Sequence, residues 1–312
     1  MPLVSVMIAC RNGEPFVGPA VRSVLDQQGV DLEVVFVDDG STDTSRQTVL
    51  AIGDPRVRVV DGPRTGVAAA TNAALAQCRG DLIARCDADD LYVPGRLAWQ
   101  VDWLAARPEF DAVCGRFEMM DRKGTTLNAV GGGGAGEEVT QELAAGVTRT
   151  HLNTWLIRGD VLRALGGCRP YFKVGEDIDL MLRFPPRHRV GYEPRICYRY
   201  RLHEGTTVHA FADNRRAFLE EQAKRFLKQR LETGTDDLEQ GHPPPLPEAA
   251  ADGKLFLAKD QIQQVLIGRA WAEHRGGQKK RAIKTGVKAV MTKPTSGPAW
   301  RCLAALVVKK PA

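Results

Sequence analysis

Leu82-Ile83-Ala84-Arg85-Cys86-Asp87-Ala88-Asp89-Asp90 is the most informative stretch of the chain, because three carboxylates directly follow an apolar strand. Open α/β sheets bind their ligands at the carboxyl edge of the strands. Clustered acids repel one another unless a cation or hydrogen-bond donors neutralise them. Hard oxygen ligands suit Mg²⁺ or Mn²⁺ holding a phosphorylated substrate. For such a motif alone, an Asp-rich turn capping the next helix is the better interpretation, so the other motifs of the chain decide.

Strand-like and helix-like segments alternate through the first hundred residues. The predicted strands are Leu3–Ala9, Leu32–Val37, Arg56–Val60 and Leu82–Arg85. The predicted helices are Pro15–Gln28, Thr44–Ile52, Val67–Cys78 and Pro94–Ala106. This alternation predicts an α/β fold with a mostly parallel, Rossmann-like sheet flanked by helices. Beyond it the pattern loosens, with a strand predicted at Ala112–Met120, a helix at Ile178–Phe184 and a strand at Arg195–Leu202.

A second acid cluster, Asp38-Asp39-Gly40-Ser41-Thr42-Asp43, ends the second predicted strand. An acid in this position can accept a hydrogen bond from a nucleobase ring N–H or a ribose hydroxyl. The alternative is a turn in which Ser41 or Thr42 caps the following helix. Because two Asp-rich strand ends of one parallel sheet face the same crevice, the two clusters together favour a binding site.

A third acid cluster, Gly175-Glu176-Asp177-Ile178-Asp179-Leu180, begins a short apolar helix. Acids are electrostatically favoured in the first turn of a helix, so the cluster could simply start the helix well. In the functional interpretation, Asp177 is a general base that takes a proton from an attacking hydroxyl. Glu176 and Asp179 are three residues apart on one helix face, where they could orient the base or the acceptor.

The composition indicates a soluble globular protein, with 43% hydrophobic and 26% charged residues. The seven cysteines contain no CxxC pair, which favours a reduced, intracellular compartment without structural zinc. The apolar N-terminus reaches Arg11 too soon for a signal peptide, and no apolar run is long enough to span a bilayer. A cytoplasmic location is therefore expected. The run Gly131–Gly136 predicts a flexible loop, since its glycines lack the spacing of a dinucleotide-binding motif.

Taken in order, these motifs resemble glycosyltransferase family 2, the inverting enzymes of the GT-A fold. The matching stretches are Ser5–Asn12, Val37–Asp43, Asp87–Asp90, Arg158–Gly167, Gly175–Leu180 with Arg183, and Tyr198–His203. Each stretch is weakly specific alone, but their order and spacing together are highly specific. The resemblance covers about residues 1–210 and implies a GT-A-type catalytic domain there, with a nucleotide-sugar half over about 1–110 and an acceptor half over about 111–210.

The resemblance also implies roles for individual residues. Asp39, with Asp38 beside it, would contact the nucleobase of a nucleotide-sugar donor. Asp89 would ligate Mn²⁺ or Mg²⁺ with support from Asp87 and with His203 as a further candidate ligand, and Asp177 would be the catalytic base. The other residues expected at the site are Ala9, Arg11, Arg64 and Ala88 on the donor side, and Glu176, Asp179 and Trp155 on the acceptor side.

Two departures from the family pattern bear on the donor. Cys10-Arg11-Asn12 stands where the family usually has Thr-Tyr-Asn, so the Arg11 guanidinium would replace an aromatic ring on the base. Ala70-Thr71-Asn72 stands where the family has Ala-Arg-Asn, which removes one phosphate contact, and Arg64 is a candidate for supplying charge nearby. A UDP- or dTDP-linked donor is expected rather than a GDP-linked one, with a saccharide or lipid-linked acceptor.

The implied reaction is a single in-line displacement that inverts the anomeric carbon, since no dedicated nucleophile for a double displacement is evident. A nucleotidyltransferase is the rival enzyme, but Arg11-Asn12-Gly13-Glu14 is too poor in glycine and charge for its triphosphate loop. A catalytically silent scaffold that binds partners through its basic tail is the non-enzymatic rival. The intact acids of all three clusters disfavour it.

The C-terminal part differs in charge from the rest. Residues 211–233 are predicted as a helix, 234–253 as a linker and 254–312 as a basic helical region. Eleven of the 43 Lys and Arg residues, but only one acid, Glu273, lie from Arg269 onward, so the preceding part carries a net charge of −5. Two interpretations stay open: a helical hairpin packed on the catalytic domain with its lysines in water, or a basic amphipathic helix lying on the inner face of an anionic membrane. Nucleic-acid binding is not expected, because no recognition motif is present.

Overall fold

The computed structural model describes residues 1–132, 138–203, 214–248 and 258–309. Most of the predicted glycine-rich loop and the end of the predicted linker lie outside the described residues. The chain divides into two compact units. The first consists of Met1–Phe117, Gly131–Arg199 and Asn214–Ala249, and the second of Glu118–Val130, Tyr200–Asp213 and Ala250–Ala312. The domain boundaries expected at 210, 233 and 253 remain predictions.

The first unit begins with an alternation of strands and helices, as predicted. The elements are β1 (Leu3–Cys10), α1 (Val17–Leu25), β2 (Asp31–Asp38), α2 (Ser45–Leu50), β3 (Val57–Asp61), α3 (Val67–Gln77) and β4 (Leu82–Arg85). The four strands pair in parallel in the order β3-β2-β1-β4, and Val6 lies between Val34 and Ala84. The interior residues of β1 and β2 are buried, as expected for parallel strands covered on both faces.

Five further strands among the described residues, some of them in antiparallel pairs, extend the sheet beyond β4. The following elements are β5 (Leu91–Tyr92), α4 (Arg96–Ala105), β6 (Ala112–Met120), β7 (Thr126–Val130), α5 (Thr140–Ala144), a 3-10 helix (Leu152–Thr154), β8 (Leu156–Arg158), α6 (Gly159–Ala164), α7 (Glu176–Leu182), β9 (Val190–Arg201) and α8 (Asn214–Thr233). β8 lies between β4 and β6 and is antiparallel to both, and β9 is antiparallel to β5. The sheet is therefore mixed, with β1 to β4 paired in parallel and β8 antiparallel to both of its neighbours. The predicted α/β class with a helical C-terminal region is confirmed.

The described residues of the second unit include three helices after the strand β7, which are α9 (Ala258–Arg275), α10 (Lys279–Thr292) and α11 (Gly297–Val308). One apolar cluster joins Leu127 of β7 to Leu266 of α9 and Ala289 of α10, and another joins α9 and α10 to Leu306 of α11. The predicted helical hairpin is thus present as α9 and α10. None of the described helices has the length and apolar character needed to cross a bilayer.

Candidate active site

The loops that follow β1 and β2 are held together by hydrogen bonds. Asn12 donates its backbone N–H to Ser41 Oγ at 3.0 Å, and its Oδ1 accepts the N–H of Thr42 at 2.8 Å. Asn12 has a φ of +57°, a left-handed conformation that asparagine tolerates better than most residues. Ser41 and Thr42 therefore fasten the β1 loop and do not cap α2, which begins at Ser45.

Asp39 is a buried acid at this end of the sheet. It is 4% exposed, and its Oδ1 accepts the backbone N–H of Arg64 at 2.6 Å. Gly62 makes this approach possible, since a Cβ there would lie 2.7 Å from both the Cα and Oδ1 of Asp39. The side chain of Asp38 has a different partner, since its Oδ1 accepts the N–H of Ser41 at 2.9 Å. Asp38 therefore stabilises the turn after β2.

The other donor-side residues differ in exposure. Arg11 and Arg64 are exposed, so their guanidinium groups are accessible from solvent, whereas Ala9 and Ala88 are half-buried. Gly13 lies beside the loop after β4, since a Cβ there would lie 3.4 Å from Ala88 Cβ, and glycine is required because the same Cβ would clash with Cys10 Sγ at 2.7 Å. The first and second acid clusters thus border the same loop.

Asp87 lies at the centre of a hydrogen-bond network that follows β4. Its Oδ1 accepts from Arg85 Nε at 2.9 Å and its Oδ2 from Asn153 Nδ2 at 2.8 Å. The Tyr198 hydroxyl accepts the backbone N–H of Asp87 at 3.1 Å and donates to Asp90 Oδ2 at 2.7 Å. Burial opposes ionisation of Asp87, but the Arg85 guanidinium, the nearby His151 imidazole and the Asn153 amide together outweigh it and lower the pKa. Asp87 is therefore an oriented carboxylate, and its side chain keeps 29% of its surface exposed.

Arg85 connects these acids to the third cluster. Its Nη1 donates to Glu176 Oε1 at 3.0 Å, while its Nε binds Asp87. Glu176, expected on the acceptor side, instead meets Arg85 from the buried side of α7. Burial raises the pKa of Glu176 to about 7, and the favourable charge of Arg85 offsets only part of that effect.

Asp177 is the more accessible carboxylate at the start of α7. Its Oδ1 accepts the N–H of Ile178 at 2.9 Å, and its Oδ2 lies 3.3 Å from His151 Nε2. His151 directly precedes the 3-10 helix that contains Asn153, the partner of Asp87. Asp177 and Asp87, ninety residues apart in sequence, are thus both contacted from one short segment.

Two residues expected on the acceptor side are interior residues. Asp179 is fully buried and accepts from Arg169 Nε at 2.9 Å, and Arg183 Nε lies 3.2 Å from the same carboxylate. Trp155 is 1% exposed, and its indole N–H donates to Thr150 Oγ1 at 3.2 Å. The prediction that these two side chains face an acceptor is therefore corrected, because both are enclosed by the core and satisfied there.

A comparison of the sequence with models of protein families shows which family the chain belongs to. The model of glycosyl transferase family 2 matches residues 5–162, about half of the chain. The chain belongs to glycosyl transferase family 2.

One similar protein sequence and two similar solved structures are consistent with this family. The chain is 38% identical to the chondroitin synthase of Pasteurella multocida over 96 residues, which are 30% of this chain and 10% of the synthase. S. aureus TarS 1–349 in complex with UDP-GlcNAc matches 97% of this chain and 90% of its own with a TM-score of 0.55 at 16% identity. A mannosyltransferase from Pyrobaculum calidifontis in complex with GDP-Man and Mn²⁺ matches 99% of this chain and 81% of its own, with a TM-score of 0.52 and 22% identity. These structures share the fold and confirm the GT-A-type class.

The residues of this family 2 chain suit a divalent cation held partly by its substrate. Within the described ranges, no three His, Cys, Asp or Glu side chains already converge on one cation position. Mg²⁺-type ions are usually bound by one or two carboxylates together with substrate phosphates and water. The oriented Asp87 and the half-buried Asp89 fit that pattern. His203 belongs to the second unit, and its role as a ligand stays a prediction.

Three residues of the site have no role that the sequence pattern predicts. His151 and Asn153 lie in a stretch without a recognisable motif, and Tyr198 lies in a matched stretch without an assigned role. Their contacts with Asp177 and Asp87 arise only when the 3-10 helix and β9 come to the end of β4. No spacing in the sequence signals that meeting.

Proposed function

We propose that this protein is an inverting, hexosyltransferase-type glycosyltransferase in polysaccharide or glycoconjugate synthesis. It would move a sugar from a nucleotide-diphosphate donor to an acceptor hydroxyl. One observation carries the proposal: Arg85, Glu176, His151 and Asn153 tie Asp87, beside the expected diphosphate, to Asp177, the expected base. A transferase needs its leaving-group site and its base around one position, because the attacking oxygen, which the base deprotonates, and the departing oxygen are both bonded to the same anomeric carbon in the transition state.

The donor proposed is UDP- or dTDP-linked. Asp39 already uses Oδ1 for the Arg64 N–H, and no hydrogen bond reaches its Oδ2 from the described residues. Asp39 Oδ2 can accept the single ring N–H of uracil or thymine. The fold neighbours bind UDP-GlcNAc in one case and GDP-Man in the other, so the fold alone does not choose.

Asp87 and Asp89 would hold Mn²⁺ or Mg²⁺, with His203 as a further candidate ligand. When bound, such a cation supplies positive charge against the diphosphate that leaves. The contribution of the chain is to orient Asp87 through Arg85 and Asn153 and to keep it ionised.

Asp177 would take the proton from the acceptor hydroxyl as that oxygen attacks. Its Oδ1 is held by the N–H of Ile178, and its Oδ2 lies against His151 Nε2, so the carboxylate has a fixed direction. The side chain is 17% exposed, which leaves an edge for an acceptor to approach. A single displacement then inverts the anomeric carbon, because nucleophile and leaving group lie on opposite faces of the sugar.

Two variants separate donor binding from proton transfer. Asp89→Ala should abolish the Mn²⁺-dependent binding of UDP measured by calorimetry, and Asp177→Asn should retain that binding and lose turnover. If the affinity for UDP is the same with and without Mn²⁺ and is unchanged in Asp89→Ala, the metal assignment is wrong. Transfer at the wild-type rate by Asp177→Asn would overturn the base. Anomeric configuration of the product, read by NMR, tests inversion directly.

A lipid-linked acceptor, presented at the inner face of an anionic membrane, would fit the surface of the second unit. The exposed residues of α10 include Lys280, Lys284 and Lys288, together with Val287, which is 40% exposed, and Met291, which is 73% exposed. On α11 the large exposed apolar residues are Trp300, Val307 and Val308. Lysines interleaved with exposed apolar side chains suit anionic lipid, which attracts the charge and admits the apolar groups.

Vesicle sedimentation tests this surface. Replacing the three α10 lysines by Gln should release the protein from vesicles containing phosphatidylglycerol. The matched control replaces Lys224, Arg225 and Lys228, which are exposed on α8 of the first unit. Equal loss in both triple variants, or no binding by the wild type, would remove the membrane proposal while leaving the transferase untouched.

A further inference from the structure

His151 is a residue of the site that the sequence pattern leaves unassigned. Its Nδ1 accepts the backbone N–H of Asn153 at 3.2 Å, and its Nε2 lies 3.3 Å from Asp177 Oδ2. The imidazole also meets the ring of Phe117 edge to face, with centroids 6.2 Å apart. The imidazole therefore has a fixed plane and a different partner at each nitrogen.

The first contact determines the tautomer of the neutral ring. A nitrogen that accepts an N–H must present its lone pair, so Nδ1 carries no hydrogen in the neutral imidazole. The single ring hydrogen is then on Nε2, directed at the Asp177 carboxylate. Together with the N–H of Ile178 on Oδ1, this contact holds both oxygens of the carboxylate.

We propose that His151 is a positioning residue that orients Asp177 for proton transfer. The inference rests on the proposed function, in which Asp177 is the base. Misplacing a reacting group by about 1 Å can cost about 100-fold in rate. A carboxylate that has lost one of its two holding contacts samples other rotamers, so turnover should fall while donor binding persists.

The alternative role of the His151 ring is to cap the 3-10 helix. The Nδ1 contact caps the 3-10 helix that carries Asn153, and Asn153 in turn holds Asp87. Loss of a side-chain cap destabilises the helix that it caps and lowers the melting temperature. If His151 acts only as a cap, activity should depend on the contact between Nδ1 and the Asn153 N–H. If His151 positions the base, activity should depend on the contact between Nε2 and Asp177.

Asn and Gln separate these two roles, because the terminal amide of Asn overlays Nδ1 and that of Gln overlays Nε2. His151→Asn should keep an acceptor for the Asn153 N–H and lose the donor to Asp177. His151→Gln should keep the donor and lose the cap. For the Asn variant we expect kcat to fall about 10- to 100-fold with unchanged KM for the donor. The Gln variant should stay within about threefold of wild type in kcat, as a preserved contact requires.

The readouts are kcat and KM for the donor, Mn²⁺-dependent UDP binding by calorimetry, and the melting temperature of each variant. Wild-type kcat in His151→Asn, or a larger loss in Gln than in Asn, would overturn the positioning role. A fall of donor affinity in parallel with kcat would also overturn it, since the defect would then lie at Asp87.

Asp177→Asn separates failure of this inference from failure of the proposed function. If Asp177→Asn is inactive and His151→Asn is normal, only the positioning role is wrong. If Asp177→Asn keeps wild-type turnover, the base is wrong and His151 has nothing to position. In the double variant His151→Asn/Asp177→Asn, the two losses should not multiply, because residues acting through one group are not additive. Multiplying losses would show that His151 acts elsewhere.

Discussion

Asp179→Asn should lower the free energy of unfolding of the protein. The substitution should not remove a group that contacts the substrate. The carboxylate of Asp179 is fully buried and lies between Arg169, whose Nε is 2.9 Å from Oδ2, and Arg183, whose Nε is 3.2 Å from the same oxygen. Arg169 also reaches Asp236 at 2.7 Å, and Asp236 pairs with Arg230 of α8. The network therefore fastens α7 to α8 and to the segment after it.

The size of the effect follows from the charges left behind. Three guanidinium groups share two carboxylates in this network, and the variant leaves them only Asp236. Burial lowers the pKa of Arg183, which shows that its charged form depends on the carboxylate beside it. Removing one partner of a buried ion pair costs about 3–5 kcal/mol. In a protein of this size, that corresponds to a melting temperature lower by about 5–8 °C.

Asp177→Asn is the matched control, since it makes the same substitution two residues away on the same helix. Urea denaturation followed by circular dichroism should show a lower midpoint for Asp179→Asn and a nearly unchanged one for Asp177→Asn. Transfer assays should show the opposite ranking. An Asp179→Asn protein with wild-type stability and no transfer would refute the structural role and restore Asp179 to the acceptor side.

Three further predictions concern the donor end and Glu176. Asp39→Asn should weaken UDP binding by about 10- to 100-fold, the worth of a hydrogen bond to a charged group, and unchanged affinity by calorimetry would contradict the nucleobase role. Gly62→Ala should destabilise by about 1–3 kcal/mol through overpacking and weaken UDP binding too, because the new Cβ would lie 2.7 Å from Asp39 Oδ1; wild-type melting and binding would show that the contact is not tight. Because burial raises the pKa of Glu176 from 4.5 to about 7, the wild type should lose stability relative to Glu176→Gln as the pH rises through that window. The difference in free energy of unfolding should reach about 3 kcal/mol, measured by urea denaturation at pH 5 and pH 8, and a pH-independent difference would contradict it.

The parallel half of the sheet was predictable because its strands carry their own signal. β1, β2 and β4 are apolar runs bounded by turn residues, and each was expected within one or two residues of its observed ends. β8 is only three residues long and was not predicted, although it sits between β4 and β6. A strand that short has no period to detect, and its pairing depends on distant partners.

The acids at strand and helix ends show where sequence reasoning stops. The sequence by itself determined that Asp39, Asp87 and Asp177 occupy such ends, because local hydrophobic patterns place the ends. Only the tertiary structure decided that Asp179, two residues from Asp177, is a buried ion-pair partner while Asp177 meets His151. On a helix, neighbouring residues point in different directions, and what each one meets depends on elements far away in the chain. The chemistry of each acid is therefore set by its neighbours in space, which its own stretch of sequence does not contain.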